Sequence, residues 1–504
     1  MPTSASSILA LFADQVQRRP DAPCLTWQGQ TWTYHELQSG ALSVAAGLRA
    51  WGLAPGERVA LALDNGPEFV LAYLGLGWAG GVAVPVNTQY RAGELRHILT
   101  DAGAALVVGS GPAVDEIATL RADLPALRGW VVVGTERADA LPWSSLLVPP
   151  QSLPLPDPAS LALLVYTSGT TGRAKGVMLS HANLAANIQA VSQAWGWTAA
   201  DRLLLMLPLF HVHGLGVGLH GTLTNGASVD LRARFDPLEA LTTLASGEVS
   251  LFFGVPTMYS RLLAQAQTHP DLRPQGVRLF VSGSAPLSPD VFQAVERVFG
   301  QTILERYGMT ETGMLTTNPL QGPRRAGTVG RPFPGQAVLV GAPGQPAPPG
   351  EVGAVWTRGP NVFSGYWQNP EATRAAFEGE WFNTGDLGFL DEDGVLTLVG
   401  RARELIITGG FNVYPREVEE TLLTHPGVAE AAVIGLPDPD LGEKVVAVVV
   451  TRPDAPTPSA DELMEYCRAH LAPYKKPRQV EFAASLPRNA MGKIRKDVLQ
   501  REYS

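Results

Sequence analysis

The chain contains very little cysteine. Among its 504 residues only Cys24 and Cys467 occur, and they are far apart. A disulfide framework or a cysteine-based metal site needs more cysteines in closer spacing, so both are excluded. Positive charge is also scarce, because 38 Lys and Arg face 47 Asp and Glu, which gives a net charge of -9. We therefore expect no nucleic-acid partner, and any anionic ligand must be met by local cationic sites.

Long uninterrupted apolar runs are missing as well. Residues 69–90 carry no charge and could span a bilayer in length, but several glycines and Pro85 divide them. Asn65 and Pro67 resemble a helix N-cap and a first-turn proline, so the segment is interpreted as a buried helix, a glycine turn and a strand. The start, "MPTSASSILALFADQ", lacks a basic region and reaches Asp14 early, unlike a signal peptide. We expect a cytoplasmic protein without a transmembrane segment.

The sequence does contain a regular alternation of apolar runs and amphipathic segments. Runs such as "RVALAL", "LFFGVP" and "VRLFVSG" precede helical patterns, which indicates α/β layers with mostly parallel sheet. After about residue 325, Gly- and Pro-rich turns between strand patterns predict a β subdomain. From Pro415 the pattern is helix, strand, strand, helix, typical of a compact α+β unit. We predict a large N-terminal domain, residues 1–400, and a small mobile C-terminal domain, residues 401–504, with the joint in "GRARELIITGG".

One glycine-rich loop indicates phosphate binding. Residues 166–176 read "YTSGTTGRAKG", directly after the apolar run "LALLV". Backbone N–H groups around successive glycines can cradle anionic oxygens, hydroxyl side chains add donors, and Arg173 and Lys175 add positive charge. The loop is not a Walker A motif, which requires adjacent Gly and Lys, whereas Lys175 follows Gly172 by three positions. The loop therefore predicts a polyphosphate ligand outside the P-loop NTPase class.

The same loop resembles that of the adenylate-forming superfamily, which includes acyl-CoA synthetases, peptide-synthetase adenylation domains and luciferases. Four further motifs follow in the order of that superfamily: "ERYGMTET", "NTGDLG", "GRARELIITGGFNVYPREVE" and "PRNAMGKI". Together they cover essentially the whole chain. The resemblance implies that a carboxylate attacks the α-phosphate of ATP, giving an acyl-adenylate and pyrophosphate, and that the thiol of CoA then displaces AMP.

The resemblance also implies roles for single residues. Asp386 would accept both ribose hydroxyls of ATP with Arg401 beside it, and Tyr307 would stack on the adenine. Thr310 would reach the α-phosphate. The ATP site implied as a whole comprises Thr167, Ser168, Gly169, Thr170, Thr171, Gly172, Lys175, Gly283, Ser284, Ala285, Glu305, Arg306, Tyr307, Gly308, Thr310, Asp386, Arg401 and Lys493.

A magnesium ion and two domain positions are implied as well. Glu311 and the hydroxyl of Thr167 would hold Mg²⁺, a hard cation that prefers oxygen ligands. Lys493 would bridge the substrate carboxylate and the α-phosphate, so it must point inward during adenylation. The C-terminal domain would then rotate about Arg403, where lysine or aspartate is more usual, and present Gly409, Gly410 and Phe411 to CoA.

The identity of the acid depends on a second set of residues. The segments "LPLFHVHGLGVG" and "GVPTMYSRLL" line the acyl pocket in relatives, and the implied substrate residues are His211, Arg261, Ser284 and Met309. His211 would gate or orient the carboxylate, as a third catalytic residue with Lys493 and Thr310, whereas His213 is equally compatible with packing. The helical pattern alone puts Arg261 on a solvent face. The likeness to the malonyl-CoA synthetase branch instead assigns Arg261 and Ser284 to the distal carboxylate of malonate or methylmalonate.

The sequence is also compatible with other functions. Gly313 and Leu315 replace more polar residues expected in that branch, so a medium- or long-chain fatty acyl-CoA ligase stays an alternative. A carrier-protein-loading or noncatalytic acyl-adenylate-binding protein is the alternative of another class. A basic cluster, Lys475, Lys476 and Arg478, fits either CoA phosphates or a solvated surface. The oligomeric state is not encoded in any motif.

Overall fold

The computed structural model describes residues 6–134, 137–167, 174–489 and 492–504. The α-helices, in chain order, are α1 Ile8–Arg18, α2 Tyr34–Trp51, α3 Pro67–Ala79, α4 Ala92–Ala102, α5 Gly111–Ala118, α6 His181–Trp195, α7 His220–Asn225, α8 Pro237–Ala245, α9 Pro256–Thr268, α10 Pro289–Phe299, α11 Pro370–Ala376, α12 Pro415–Leu423, α13 Ala460–His470 and α14 Lys496–Tyr503. A π-helix, His213–Leu219, precedes α7, and short 3₁₀ helices form at Arg121–Asp123, Trp143–Leu146 and Ala402–Glu404.

The strands are β1 Pro23–Trp27, β2 Gln30–Thr33, β3 Arg58–Ala62, β4 Val82–Pro85, β5 Leu106–Ser110, β6 Gly129–Val133, β7 Leu141–Pro142, β8 Leu161–Thr167, β9 Lys175–Ser180, β10 Arg202–Leu205, β11 Ser228–Leu231, β12 Leu251–Gly254, β13 Leu279–Ser282, β14 Leu304–Met309, β15 Gly313–Thr317, β16 Arg331–Pro332, β17 Ala337–Ala342, β18 Gln345–Pro346, β19 Gly353–Arg358, β20 Phe377–Glu378, β21 Trp381–Leu390, β22 Leu396–Arg401, β23 Ile406–Thr408, β24 Phe411–Val413, β25 Val428–Asp438, β26 Gly442–Thr451 and β27 Gln479–Phe482.

Two sheets with mostly parallel strands form the body of the N-terminal domain. One has the strand order β7-β6-β5-β3-β4-β8-β9, and the other has the order β16-β15-β14-β13-β12-β10-β11-β1-β2. Their central strands are short apolar runs buried along their length, such as Leu251–Gly254. Helices cover both faces, as parallel strands require. The predicted α/β layers are confirmed.

The uncharged segment of residues 69–90 lies inside the N-terminal domain. The helix α3 ends at Gly80, whose φ of 84° is left-handed, and β4 follows. The prediction that Asn65 caps this helix is wrong, because Gly66 is the N-cap. The amide of Asn65 instead donates to the carbonyl of Leu207 and accepts from the N–H of Leu209. Among the described residues, no helix combines the length and apolarity needed to cross a membrane.

An antiparallel sheet follows in the chain and forms the predicted β subdomain. Its order is β18-β17-β19-β21-β20, with β22 paired to β21. Beyond it, β24-β23-β26-β25, with β27 beside β26, forms the sheet of the C-terminal domain. Helices α12 and α13 bury one face of β25 and β26, and α14 buries the other. This smaller α+β domain thus has its own core, and the 3₁₀ helix at Ala402–Glu404 joins it to the preceding sheet.

Candidate active site

A carboxylate held between an arginine and a tyrosine marks the centre of the site. Asp386 in β21 and Arg401 in β22 are cross-strand partners, and Nε of Arg401 lies 3.2 Å from Oδ1 of Asp386. The hydroxyl of Tyr307, in β14, donates to Oδ2 of Asp386 at 2.5 Å. Asp386 is buried, and burial raises the pKa of Tyr307 well above its usual value, which keeps this phenol a donor. A carboxylate has about four acceptor sites, and these two contacts use one on each oxygen, so acceptor capacity remains for the two hydroxyls of a ribose.

A second buried carboxylate lies in the turn that follows β14. Thr310 and Glu311 are each 5% exposed, and the N–H of Phe363 fixes the turn by donating to the carbonyl of Glu311 at 2.8 Å. The hydroxyl of Tyr366 donates to Oε1 of Glu311 at 3.1 Å. Burial raises the pKa of Glu311 because it disfavours the charged carboxylate. A cation bound beside Glu311 would oppose this shift and stabilise the charged form.

This turn fits a divalent cation held mainly by phosphate oxygens. Glu311 supplies one carboxylate, and a hard cation such as Mg²⁺ accepts that ligand together with oxygens of a bound nucleotide. Within the described ranges, no cluster of three or more His, Cys, Asp or Glu side chains forms a protein-only metal cage. A magnesium ion would therefore bind here together with the nucleotide.

The glycine-rich loop is described only at its two ends. Residues 168–173, and with them Ser168, Gly169, Thr170, Thr171 and Gly172 of the predicted ATP site, lie outside the described residues. At the ends of the loop, Thr167 in β8 and Lys175 in β9 are antiparallel partners. Nζ of Lys175 lies 5.1 Å from the centre of the Tyr366 ring, the same ring whose hydroxyl holds Glu311. Lys175, at the end of the loop, therefore lies beside the turn that carries Glu311.

The C-terminal domain contributes a lysine to the same site. The N–H of Lys493 donates to the side-chain oxygen of Asn489, and Gly492 lies against Thr257 of the N-terminal domain. Loss of solvation lowers the pKa of Lys493 to about 8, and the charge of Arg401 acts in the same direction, whereas Asp386 opposes it. The charges of Arg401 and Asp386 both act on Lys493, so this lysine lies in the neighbourhood of that ion pair.

A buried arginine without an acidic partner forms a second centre. Arg306 is 2% exposed, its Nε has no hydrogen-bond partner, and it forms no ion pair with any residue in the described part of the chain. Its Nη2 lies 3.4 Å from Oγ of Ser284, which lies 3.3 Å from Nδ1 of His213. Burial lowers the pKa of Arg306 to about 9. An uncompensated guanidinium is costly to bury, so this arrangement favours an anionic ligand.

The backbone beside this arginine has two unusual features, a close approach at Gly283 and a positive φ at Ser284. A Cβ at Gly283 would lie 2.5 Å from Cζ of Arg306, so the guanidinium rests directly on the glycine. Ser284 adopts a φ of 70°, which is unusual for a residue with a side chain. Backbone strain of this kind concentrates at ligand sites.

The histidines beside Arg306 are neutral. Burial, followed by the charge of Arg306, lowers the pKa of His211 to about 4 and that of His213 well below its usual value. Nδ1 of His211 and Nε2 of His213 have no hydrogen-bond partner. A neutral imidazole with a nitrogen free of other partners can orient a carboxylate by a hydrogen bond. It does not form an ion pair with that carboxylate, which leaves the charge to be met by Arg306.

Other predicted residues are exposed, on α9 and in the segments that follow β22. Arg261 is exposed on α9 and forms no ion pair with the described residues. Arg403 is exposed in the 3₁₀ helix between the domains, at the predicted hinge position. Gly409 and Gly410 form the turn of the β23–β24 hairpin with φ of 55° and 81°. The ring of Phe411 is 55% exposed and stacks on Tyr474 at 4.7 Å.

The remaining predicted residues extend from β14. Glu305 is buried, with burial raising its pKa to about 7, while Gly308 and Met309 continue the strand toward Thr310. Of the basic cluster, Lys475 is paired with Glu417, at 2.6 and 2.8 Å.

Sequence reasoning missed one side chain that contacts these residues, Tyr366. It placed Arg306 and Ser284 together in the predicted ATP site, and in the structure Arg306 contacts Ser284, which contacts His213. A charged residue in the buried strand "LERYGM" was the available signal for Arg306. Tyr366 was missed because it is 55 positions from Glu311 in the chain and lies outside the five motifs.

Comparisons with known proteins agree with this geometry. Residues 12–367 match the AMP-binding enzyme family, and residues 417–493 match the AMP-binding enzyme C-terminal domain. The chain is 38% identical to the sulfoacetate–CoA ligase of Cupriavidus necator, covering 98% of this chain and 97% of the relative. It is 34% identical to the long-chain-fatty-acid–CoA ligase of Bacillus subtilis, covering 100% and 96%, and 34% identical to the malonate–CoA ligase of Arabidopsis thaliana, covering 94% and 85%.

Solved structures show the same similarity. The crystal structure of ATP-bound MatB from Rhodopseudomonas palustris has 38% identity and a TM-score of 0.90, covering 99% of both chains. Both domains are therefore included in the match. The chain belongs to the AMP-binding enzyme family and is an ATP-dependent, AMP-forming acid–CoA ligase.

Proposed function

We propose that the acid is a short carboxylate carrying a second anionic group, with malonate or methylmalonate as the substrate. The observation that carries this proposal is Arg306, a buried guanidinium that has no acidic partner among the described residues. A second carboxylate on the substrate would supply that partner and could be bound by the guanidinium fork. Ser284, at 3.4 Å from Arg306, would donate a further hydrogen bond. Arg261, exposed on α9 and without an ion pair to any described residue, would add attraction for a dianion.

The first half-reaction would proceed by positioning and charge neutralisation. An oxygen of the reacting carboxylate attacks the α-phosphorus of ATP, the bond to the bridging oxygen breaks, and pyrophosphate leaves. Asp386 and Arg401 would hold the ribose, Tyr307 would pack against the adenine, and Thr310 and Lys493 would face the α-phosphate. A magnesium ion at Glu311 would neutralise phosphate charge when bound.

The second half-reaction would use a different face of the C-terminal domain. The CoA thiolate attacks the acyl carbon, the acyl–phosphate bond breaks, and AMP leaves. Rotation at Arg403 would withdraw Lys493 and bring the glycine turn of the β23–β24 hairpin to the site. Gly409 and Gly410 have no side chains to block a pantetheine arm.

A fatty acid is the competing substrate. The similarity to a long-chain-fatty-acid–CoA ligase keeps this alternative open, but the apolar tail of a fatty acid would leave Arg306 buried without a counterion. The sulfoacetate relative fits the proposed class, since sulfoacetate also carries two anionic groups.

The test measures AMP release with CoA across acetate, malonate, methylmalonate, sulfoacetate, succinate and octanoate. We expect malonate or methylmalonate to give the highest kcat/KM. Arg306→Leu should abolish their turnover, Arg261→Leu should lower it, and the exposed-helix control Arg297→Leu should leave it unchanged. Highest activity on octanoate, or malonate turnover unaffected by Arg306→Leu, would overturn the proposal. Replacing CoA by a pantetheinylated carrier protein tests the loading alternative, which predicts a faster reaction with the carrier.

A further inference from the structure

Tyr366 contacts both sides of the nucleotide site. Its hydroxyl donates to Oε1 of Glu311, and its ring lies under the ammonium of Lys175, with Nζ 5.1 Å from the ring centre. Glu311 and Lys175 belong to elements far apart in the sequence, the turn after β14 and the end of the glycine-rich loop. Tyr366 therefore lies between the carboxylate that fits a divalent cation and the lysine that closes the phosphate loop.

The backbone around Tyr366 is fixed to the same hairpin. Tyr366 forms an antiparallel bridge with Val177 in β9, and the N–H of Trp367 donates to the carbonyl of Gly176 at 2.8 Å. The indole N–H of Trp367 donates to the carbonyl of Asp101 at 3.0 Å. The backbone of the tyrosine is therefore paired with β9, close to the Lys175 end of the loop.

Aromatic packing fixes the orientation of the ring. Phe363 contacts the Tyr366 ring edge-to-face with centroids 4.9 Å apart, and Phe363 is itself 3% exposed among Phe377 and Phe382. The N–H of Phe363 also donates to the carbonyl of Glu311. The segment thus holds Glu311 by its backbone through Phe363 and by its side chain through Tyr366.

We propose that Tyr366 is a positioning residue that couples the phosphate loop to the metal carboxylate. It orients one oxygen of Glu311 by a hydrogen bond, leaving the other for the divalent cation, and it places Lys175 for the phosphates of the nucleotide. The inference rests on the ATP and divalent-cation binding in the proposed function but not on the identity of the acid.

The test uses the full chain without any acid substrate, so it is independent of the substrate proposal. Mn²⁺ binding in the presence of α,β-methylene-ATP is measured by electron paramagnetic resonance for wild type, Tyr366→Phe and Tyr366→Leu. Tyr366→Phe removes only the bond to Glu311, and we expect the affinity for Mn²⁺ to fall about tenfold. Tyr366→Leu also removes the ring under Lys175, and we expect the affinity for the nucleotide to fall by about a further threefold.

A structural control separates positioning from stability. Tyr73 is a buried tyrosine in α3 whose hydroxyl lies 2.8 Å from Nε2 of His220, outside the site, and Tyr73→Phe also loses one hydrogen bond. We expect it to lower the melting temperature without changing Mn²⁺ affinity. In turnover, Tyr366→Phe should raise the KM for ATP and leave the KM for the acid unchanged. Unaltered Mn²⁺ affinity in Tyr366→Phe, or an equal loss in Tyr73→Phe, would overturn the inference.

Discussion

Asp386 and Arg401 face each other across the antiparallel pair β21 and β22, and the salt bridge between them is 3.2 Å long. Arg401 is also the last residue of β22, directly before the 3₁₀ helix that leads to the C-terminal domain. The proposed ribose site and the interdomain connection therefore share one strand end. A ligand that binds Arg401 would therefore also act on the residue directly before the connection to the C-terminal domain.

Removing the charge of Asp386 should mainly affect ATP. Asp386→Asn leaves Arg401 without its counterion and replaces an acceptor oxygen by a donor, so we expect kcat/KM for ATP to fall about a hundredfold. Initial rates at saturating acid and CoA measure this. Asp391→Asn is the matched control, because Asp391 lies in the turn after the same strand and pairs with Arg325 at 2.8 Å. Equal ATP kinetics in both variants would contradict the assignment.

The pKa of Lys493 predicts a limit at alkaline pH. Lys493 loses its proton as pH rises through about 8, so kcat/KM for ATP in pyrophosphate release should decline above that pH. Bound phosphates stabilise the ammonium, so the decline in kcat should occur at higher pH than the decline in kcat/KM. Lys493→Arg should shift both limbs upward while lowering the rate, because a guanidinium stays charged. A pH profile identical in wild type and Lys493→Arg would count against this role.

Lys493→Ala should separate the two half-reactions. We expect pyrophosphate release to fall at least a hundredfold, because the α-phosphate loses its cation. Thioester formation from supplied acyl-adenylate and CoA should keep most of its rate, because Lys493 would be withdrawn in that step. Single-turnover assays of each half-reaction measure the difference, and an equal loss in both would argue against two domain positions.

The sequence predicted the chemistry of motifs better than the placement of single side chains. The alternation of apolar runs was sufficient for the α/β layers, because burial on both faces leaves a visible pattern. Asp386 and Arg401 were predicted to act together because each lies in a motif, and in the structure they form an ion pair. Tyr366 lies in no motif, and its role depends on a tertiary contact with Glu311 that no local pattern encodes. Arg306 was predicted as part of the ATP site, but the absence of an acidic partner among the described residues is visible only when its surroundings are known.

Contacts between the domains suggest a variant that acts on one half-reaction. Arg416 at the start of α12 donates from Nη1 to the carbonyl of Leu398 in β22 at 2.8 Å, and its Nε lies 2.7 Å from Glu420. Its charge also lowers the pKa of buried Glu305, which burial raises to about 7. These contacts occur in the same domain arrangement that brings Lys493 near Arg401 and Asp386. Arg416→Ala should therefore slow adenylation severalfold more than thioester formation.

The control for that variant is Arg468→Ala. Arg468 lies on α13 and pairs with Glu465 at 2.7 Å within the C-terminal domain, so it tests charge removal without a contact to β22. Pyrophosphate release and thioester formation are compared for both variants. If the two variants slow adenylation equally, the contact with Leu398 has no role in holding the domains.

Buried histidines predict a loss of stability in acid. Burial lowers the pKa of His181 to about 4 and that of His220 to about 3, whereas both approach 6.5 in the unfolded chain. The unfolded state therefore binds more protons below pH 6.5, and stability should decrease as pH falls from about 6.5 toward 4. Each histidine contributes about 1.4 kcal/mol per pH unit in that window. His220→Gln, which can still accept from Tyr73, should reduce the slope of unfolding free energy against pH by one proton. Urea titrations at pH 7, 6 and 5 measure that slope, and an unchanged slope in the variant would mean that His220 is protonated in the folded state.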